Sequence, residues 1–324
     1  MLSTLSTILV DAISMGTIFL FGCEGEILTE KAGNLNLGIP GIMCIGALGG
    51  SFGVMIYSNG AADPTQMSGF WLVVVSVLFS MLFAGAAGLI YAFLTVTLKA
   101  NQNVTGLALT TFGVGFMKFF AKRIDMTNFV VASKYFKNLF PFSGKLGWFG
   151  EIFLSHGVLV YLAIAVAIFA SILLNRTRTG LHLRAVGENP ATADAAGINI
   201  SKYKYIFITL GSAIAGIGGL YYVMDKTNGT TLAEASIDSF GWLAVALVIA
   251  TMWKPIFAIL GSIVFGGLSI LAMDLTTLSF SQLKIFDMFP YIITVVVLIL
   301  TSIFGKKENQ PPASLGLSYF REER

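Results

Sequence analysis

The sequence predicts an all-α polytopic bundle of about nine membrane spans, and three observations carry that reading. Mean hydropathy is +0.81 and 56% of the 324 residues are hydrophobic, whereas only 11% are charged, less than half of the roughly 25% usual in water-soluble domains. Apolar runs recur along the whole chain, many of them near the ~20 helical residues needed to cross a hydrocarbon core of ~30 Å. The Lys and Arg residues are scattered, with a net charge of only +3, so the massed basic patch of a nucleic-acid-binding surface is missing.

The runs fall at 5–23, 35–57, 70–94, 103–120, 156–175, 204–224, 240–253, 256–273 and 288–304. The first is preceded by no Lys or Arg, so Leu20-Phe21-Gly22-Cys23 reads as part of a retained helix rather than a leader with a basic n-region. Cys23 and Cys44 read as packing residues, and no metal site is expected from them with His156 and His182. Small residues recur four apart in several runs: Gly46 with Gly50, Gly49 with Gly53, Ala84 with Gly88, Ser212 with Gly216, Ser262 with Gly266. That spacing lets helix backbones approach closely where lipid supplies no hydrophobic drive. The seventh run is short and separated from the eighth only by Lys254-Pro255, which leaves a half-helix or a tilted hairpin arm open. The aromatic-rich connection 121–150 suits an amphipathic element on the membrane surface or under a docked partner.

Orientation follows from the loop cations. With the N-terminus outside and nine spans, the inward segments carry Lys31, Lys99, Arg176, Arg178, Arg184, Lys202, Lys204, Lys254, Lys306, Lys307, Arg321 and Arg324. Only the 121–150 loop, with Lys122, Arg123, Lys134, Lys137 and Lys145, runs against the trend. The expected topology is N-out, C-in. The spans make one domain, 1–305, and the tail 306–324, with Pro311-Pro312 and mixed charges, reads as a disordered extension.

The longest inward polar segment is 176–203. Asn189 is a good N-cap, Pro190 suits a first helical turn, Asp194 lies near the positive end of the helix and Gly197 suits a stop. A short capped helix of small residues, Pro190-Ala-Thr-Ala-Asp-Ala-Ala196, is suited to present a face to another protein; a merely solvated loop helix is the plainer reading.

These residues also resemble a known family. Leu183-Arg-Ala-Val-Gly-Glu-Asn-Pro-Ala-Thr-Ala-Asp-Ala-Ala-Gly-Ile198 is similar to the cytoplasmic coupling segment of permease subunits of ABC importers in the ribose, simple-sugar and nucleoside group. Leu28-Thr-Glu-Lys-Ala-Gly-Asn-Leu-Asn-Leu-Gly-Ile-Pro-Gly-Ile-Met43 resembles an early segment of that group in its nucleoside-type version, with Pro40 where relatives often have Glu. Asn103–Gly113 and Phe240–Ala250, followed by Trp253-Lys-Pro255, match its general pattern.

The resemblance implies a permease that binds no cofactor and no ATP itself. ATP and Mg would be handled by a cytoplasmic ATPase; the other partners would be a second homologous permease and an extracytoplasmic substrate-binding protein. In agreement, no G-x-x-x-x-G-K-[ST] phosphate loop occurs in the chain. The coupling residues carried over are Arg184, Gly187, Glu188, Asn189, Pro190, Ala191, Asp194 and Gly197. Nucleosides are the implied cargo, with simple sugars or riboflavin as alternatives, and a bacterial cytoplasmic membrane is the implied location.

A substrate path should show as polar groups inside spans, where an unpartnered amide or hydroxyl is costly. Asn34, Asn36, Asn101, Asn103, Thr105, Thr110 and Thr111 are such groups, with Gln102, at the starts of the second and fourth runs. Capping or interhelical hydrogen bonding is their plainer role. Asp11 is the one acid placed well inside an expected span. An intramembrane hydrolase would need a paired nucleophile and base, and a stand-alone secondary transporter would need ion-coupling acids at the midplane; neither pattern is present.

Overall fold

A computed structural model describes residues 2–61, 63–137, 147–274, 285, 288–304 and 309–320. The regular elements among them are helices: α1 Leu2–Lys31, α2 Ile39–Gly60, α3 Gly69–Ala92, α4 Gln102–Ala121, α5 Phe129–Phe136, α6 Gly147–Leu154, α7 Val158–Arg176, α8 Arg178–Glu188, α9 Pro190–Ala195, α10 Ile200–Tyr221, α11 Glu234–Ala250, α12 Pro255–Asp274 and α13 Phe289–Phe304. Short π-helical turns, Phe93–Thr97 and Tyr222–Lys226, extend α3 and α10.

Each expected apolar run falls on one of these helices, and six of them meet the length and hydropathy of a membrane span among the described residues. These six stretches are Ser6–Lys31, Ile39–Gly60, Gly69–Thr97, Gln102–Ala121, Val158–Arg176 and Ile200–Lys226. α11 has 17 residues, about 26 Å at 1.5 Å per residue and short of a ~30 Å core. α12, with 20 residues, and α13, with 16, are apolar as well.

The centre of the bundle is built from α1, α2 and α10, the most buried of the six. α2 packs on α3, α4 and α10, and α1 packs on α10, α11 and α12. Small residues make these approaches close, as the four-residue spacing predicts. A Cβ added to Gly46 of α2 would overlap the backbone of Gly216 in α10, and one added to Gly216 would overlap Cβ of Ala84 in α3. Ser262 of α12 and Gly16 of α1 meet in the same way. Close backbone approach increases the number of dispersion contacts, which take over where hydrophobic drive is weak. Cys23 and Cys44 are buried and form no disulfide, in the packing role the sequence suggests.

The connection after α4 folds into α5 and α6, while 138–146, the middle of the aromatic-rich loop, lies outside the described residues. The tail departs from expectation. Residues 309–320 do not stand free as a disordered extension but lie against the 176–203 segment through hydrogen bonds to Gly187, Glu188 and Asp194. The physical reason is that Pro312 and Ser314 are buried there and Leu315 packs on the main core. Residues 305–308 and 321–324 lie outside the described residues.

Candidate functional site

The 176–203 segment folds as two consecutive short helices. Thr177 caps α8, its Oγ1 accepting from Gly180 N at 3.0 Å. Asn189 ends α8 and caps α9, its Oδ1 accepting from Thr192 N at 3.0 Å with Pro190 opening the turn. Gly197 leaves α9 at φ +80°, where a side chain is strained, and Gly197 N and Ile198 N return to the carbonyls of Asp194 and Ala193. Asn199 then caps α10 through Lys202 N at 2.9 Å. Local capping therefore fixes a rigid corner with little help from a core of its own: only Val186, Ala193 and Ile200 form a small buried cluster beneath it.

The corner has two faces. Arg184, Glu188, Asn189, Ala191 and Gly197 are exposed, together with Thr192, Ala195 and Ala196. Gly187 is buried so tightly against the carbonyl of Lys31 at the end of α1 that a Cβ would overlap it. Asp194 faces the tail, accepting from the Tyr319 hydroxyl at 3.0 Å. Beside the corner a cleft of about 650 Å³ is lined by Lys31, Arg184, Glu188, Trp253, Lys254 and Gln310 among others.

The polar groups proposed for a path divide into two sets. Around the turn between α1 and α2, Asn34 and Asn36 are fully buried. Asn36 N donates to Glu26 Oε1 at 2.9 Å, and its Oδ1 accepts from Gly38 N at 3.0 Å. Gln102 Oε1 accepts from Leu35 N at 2.8 Å, Tyr91 Oη donates to Leu35 O at 2.5 Å and Thr110 Oγ1 donates to Leu37 O at 2.8 Å. Asn34 Oδ1 and Asn36 Nδ2 have no hydrogen-bond partner among the described residues. The second set lies along α4 and is not brought into this cluster: Asn101 caps the helix, Thr105 and Thr111 donate to their own helix's carbonyls, and Asn103 and Thr111 are exposed in the single chain.

The expectation that Asp11 is the one acid within a span is corrected by the length of α1. The helix runs on past Cys23 to Lys31, carrying Glu24, Glu26 and Glu30, all buried, into the bundle. Their partners explain why the helix continues: Glu26 takes the Asn36 amide and Glu30 takes the indole N–H of Trp253. Trp253 and its neighbour Met252 hold φ +55°, so the break between α11 and α12 is shaped to present that indole. Both oxygens of Glu24 lack a hydrogen-bond partner among the described residues, which makes it a functional candidate in its own right. The signal in the sequence is the Glu-x-Glu-x-x-x-Glu spacing over 24–30, which begins one residue after the apolar run 5–23. Asp11 itself lines a second cavity, of about 290 Å³, with Ser14, His156, Tyr221 and Asp225.

Set beside known proteins, the chain matches the family model described as branched-chain amino acid transport system / permease component over residues 8–298. It is 30% identical to the nucleoside ABC transporter permease protein NupC of Lactococcus lactis, over 99% of both chains. It is 30% identical to the guanosine ABC transporter permease protein NupQ of Bacillus subtilis, over 93% of this chain and 92% of that one. A Haloferax volcanii protein named putative glucose ABC transporter permease protein TsgC13 is 29% identical over 96% of both. A solved metal-chelate type ABC transporter in an inward-facing conformation superposes over 89% of this chain and 85% of that one at 12% identity, with a TM-score of 0.49. The family match over nearly the whole helical bundle is decisive: the chain belongs to the permease components of ABC transport systems, as a multi-pass membrane protein.

Proposed function

We propose that this chain is a permease subunit of an ATP-driven importer whose cargo is nucleosides. The observation that carries the cargo is the near-full-length similarity to two permeases named for nucleoside and guanosine transport. The buried amides of Asn34 and Asn36, with free hydrogen-bonding capacity beside Glu26, suit a neutral ligand that both donates and accepts. The glucose-named relative keeps a simple sugar as the second reading.

In this reading the corner 176–203 faces the cytoplasm and its exposed small residues, Ala191, Thr192 and Ala195 to Gly197, seat in a cytoplasmic ATPase, which supplies ATP and Mg chemistry that this chain does not perform. The N-terminus lies outside, the membrane is the bacterial cytoplasmic membrane, and an extracytoplasmic binding protein delivers the cargo. Asn103 and Thr111, exposed on α4, would line a path completed by a second permease. No lysine or arginine cluster calls for nucleic acid.

The test is uptake into proteoliposomes holding the assembled complex and its delivery protein, with labelled guanosine, adenosine, ribose, glucose and riboflavin offered in turn. Saturable nucleoside uptake that stops without ATP is expected. Sugar uptake alone would move the assignment to the second reading, and uptake that persists without ATP or partners would refute the importer.

A further inference from the structure

The tail residues 309–320 touch two places at once. On one side Ser314 N donates to Gly187 O at 3.0 Å, the Ser314 hydroxyl donates to the same carbonyl, and Ala313 N donates to Glu188 Oε2 at 3.3 Å. Tyr319 donates to Asp194 and packs on the Val186, Ala193 and Ile200 cluster. On the other side Leu317 O accepts from Gln102 Nε2 at 3.4 Å, and the opposite end of that same amide, Oε1, accepts from Leu35 N at 2.8 Å. Ser314 also sits over Gly33, where an added Cβ would come within 3.0 Å of its hydroxyl oxygen.

We infer that the tail is a mechanical link: Ser314 and Tyr319 are positioning residues that tie the 176–203 corner, through Leu317 and Gln102, to the buried turn carrying Asn34 and Asn36. This inference rests on the reading of that corner as the ATPase contact. A corner that moves on ATP binding is joined to the bundle covalently by α7 and α10, and Gly187 packs against Lys31 and Gly33, but none of these reaches the 33–38 turn by a hydrogen bond among those described. The tail does, in two steps: a long 3.4 Å contact from Gln102 to Leu317 and a 2.8 Å hydrogen bond from Leu35 to the other end of the same amide. It also explains why Gly187, Glu188 and Asp194, which the sequence offers as ATPase contacts, bond inward to the tail, while Ala191, Thr192 and Ala195 to Gly197 are left exposed for the partner. Coupling of this kind is carried by packed, hydrogen-bonded chains with more than one arrangement, and only a perturbation shows that it operates.

The experiment compares three variants in the reconstituted complex: the pair Ser314→Ala with Tyr319→Phe, deletion of 309–324, and Ala191→Glu on the exposed face. For each, retention of the ATPase during purification and cargo taken up per ATP hydrolysed are measured. The pair should retain the ATPase and lower the uptake-to-hydrolysis ratio by about fivefold or more, the low end of usual coupling strengths; the deletion should lower it at least as far. A wild-type ratio in both tail variants overturns the link. Loss of the ATPase on deletion, with a wild-type ratio in the pair, overturns it in favour of a docking surface. Ala191→Glu should release the ATPase; if it does so while the tail variants are normal, the link alone fails. If Ala191→Glu is without effect, the ATPase contact is misplaced and the link falls with it.

Discussion

Gly46→Ala adds one methyl group where α2 and α10 touch backbone to backbone. An ideal Cβ at Gly46 lies well inside van der Waals contact of the Cα, carbonyl carbon and carbonyl oxygen of Gly216. No flexible side chain can swing away, so the helices must part by about 1 Å to restore the 3.5–4.0 Å carbon separation. Overpacking of this kind costs about 1–3 kcal/mol. The methyl also raises helix propensity by up to about 1 kcal/mol, which a second variant cancels. Gly115→Ala in α4 adds the same methyl with nothing within 4 Å. The difference between the two is therefore the crossing alone, about 1–3 kcal/mol against Gly46→Ala. Denaturant unfolding of the purified chain in detergent micelles, followed by tryptophan fluorescence, reads it. Equal midpoints for the two variants would refute the claim that glycine backbone contact holds α2 to α10.

Three further outcomes are expected. Trp253→Phe removes the indole donor to the buried Glu30 carboxyl and should lower stability in the same unfolding assay by about 1–3 kcal/mol; a wild-type midpoint would show that the contact contributes nothing. Asn36→Leu takes away the acceptor for Gly38 N and the free amide, and should reduce uptake far more than it reduces assembly of the complex; normal uptake would remove Asn36 from the path. Gly197→Val forces a side chain into φ +80°, at a cost of about 1–2 kcal/mol, and should speed amide exchange at 190–200 without altering that of α2; unchanged exchange would show that the corner does not depend on this stop.

Features that depend on near neighbours in the chain are legible in the residues alone. Hydropathy located every long helix, because crossing hydrocarbon demands an unbroken apolar run with its own hydrogen bonds. The caps of the 176–203 corner, Asn189, Pro190 and Gly197, were legible because each acts within four residues of itself. The four-residue spacing of Gly46, Gly216 and Ala84 marked close approaches, though not which helices would meet.

The remaining features turn on partners distant in sequence and follow from how the chain packs. α1 continues through Glu24, Glu26 and Glu30 because Asn36 and Trp253 supply donors there, the latter 223 residues away. The tail is held because Gly187 and Asp194, more than a hundred positions upstream, accept from it. The path candidates separate for the same reason: Asn34 and Asn36 are buried by α1, α3 and α4 together, whereas Asn103 and Thr111 lie on a helix face that this chain leaves uncovered. Local composition specifies a helix and its ends; which polar group finds a partner is settled only where the chain returns on itself.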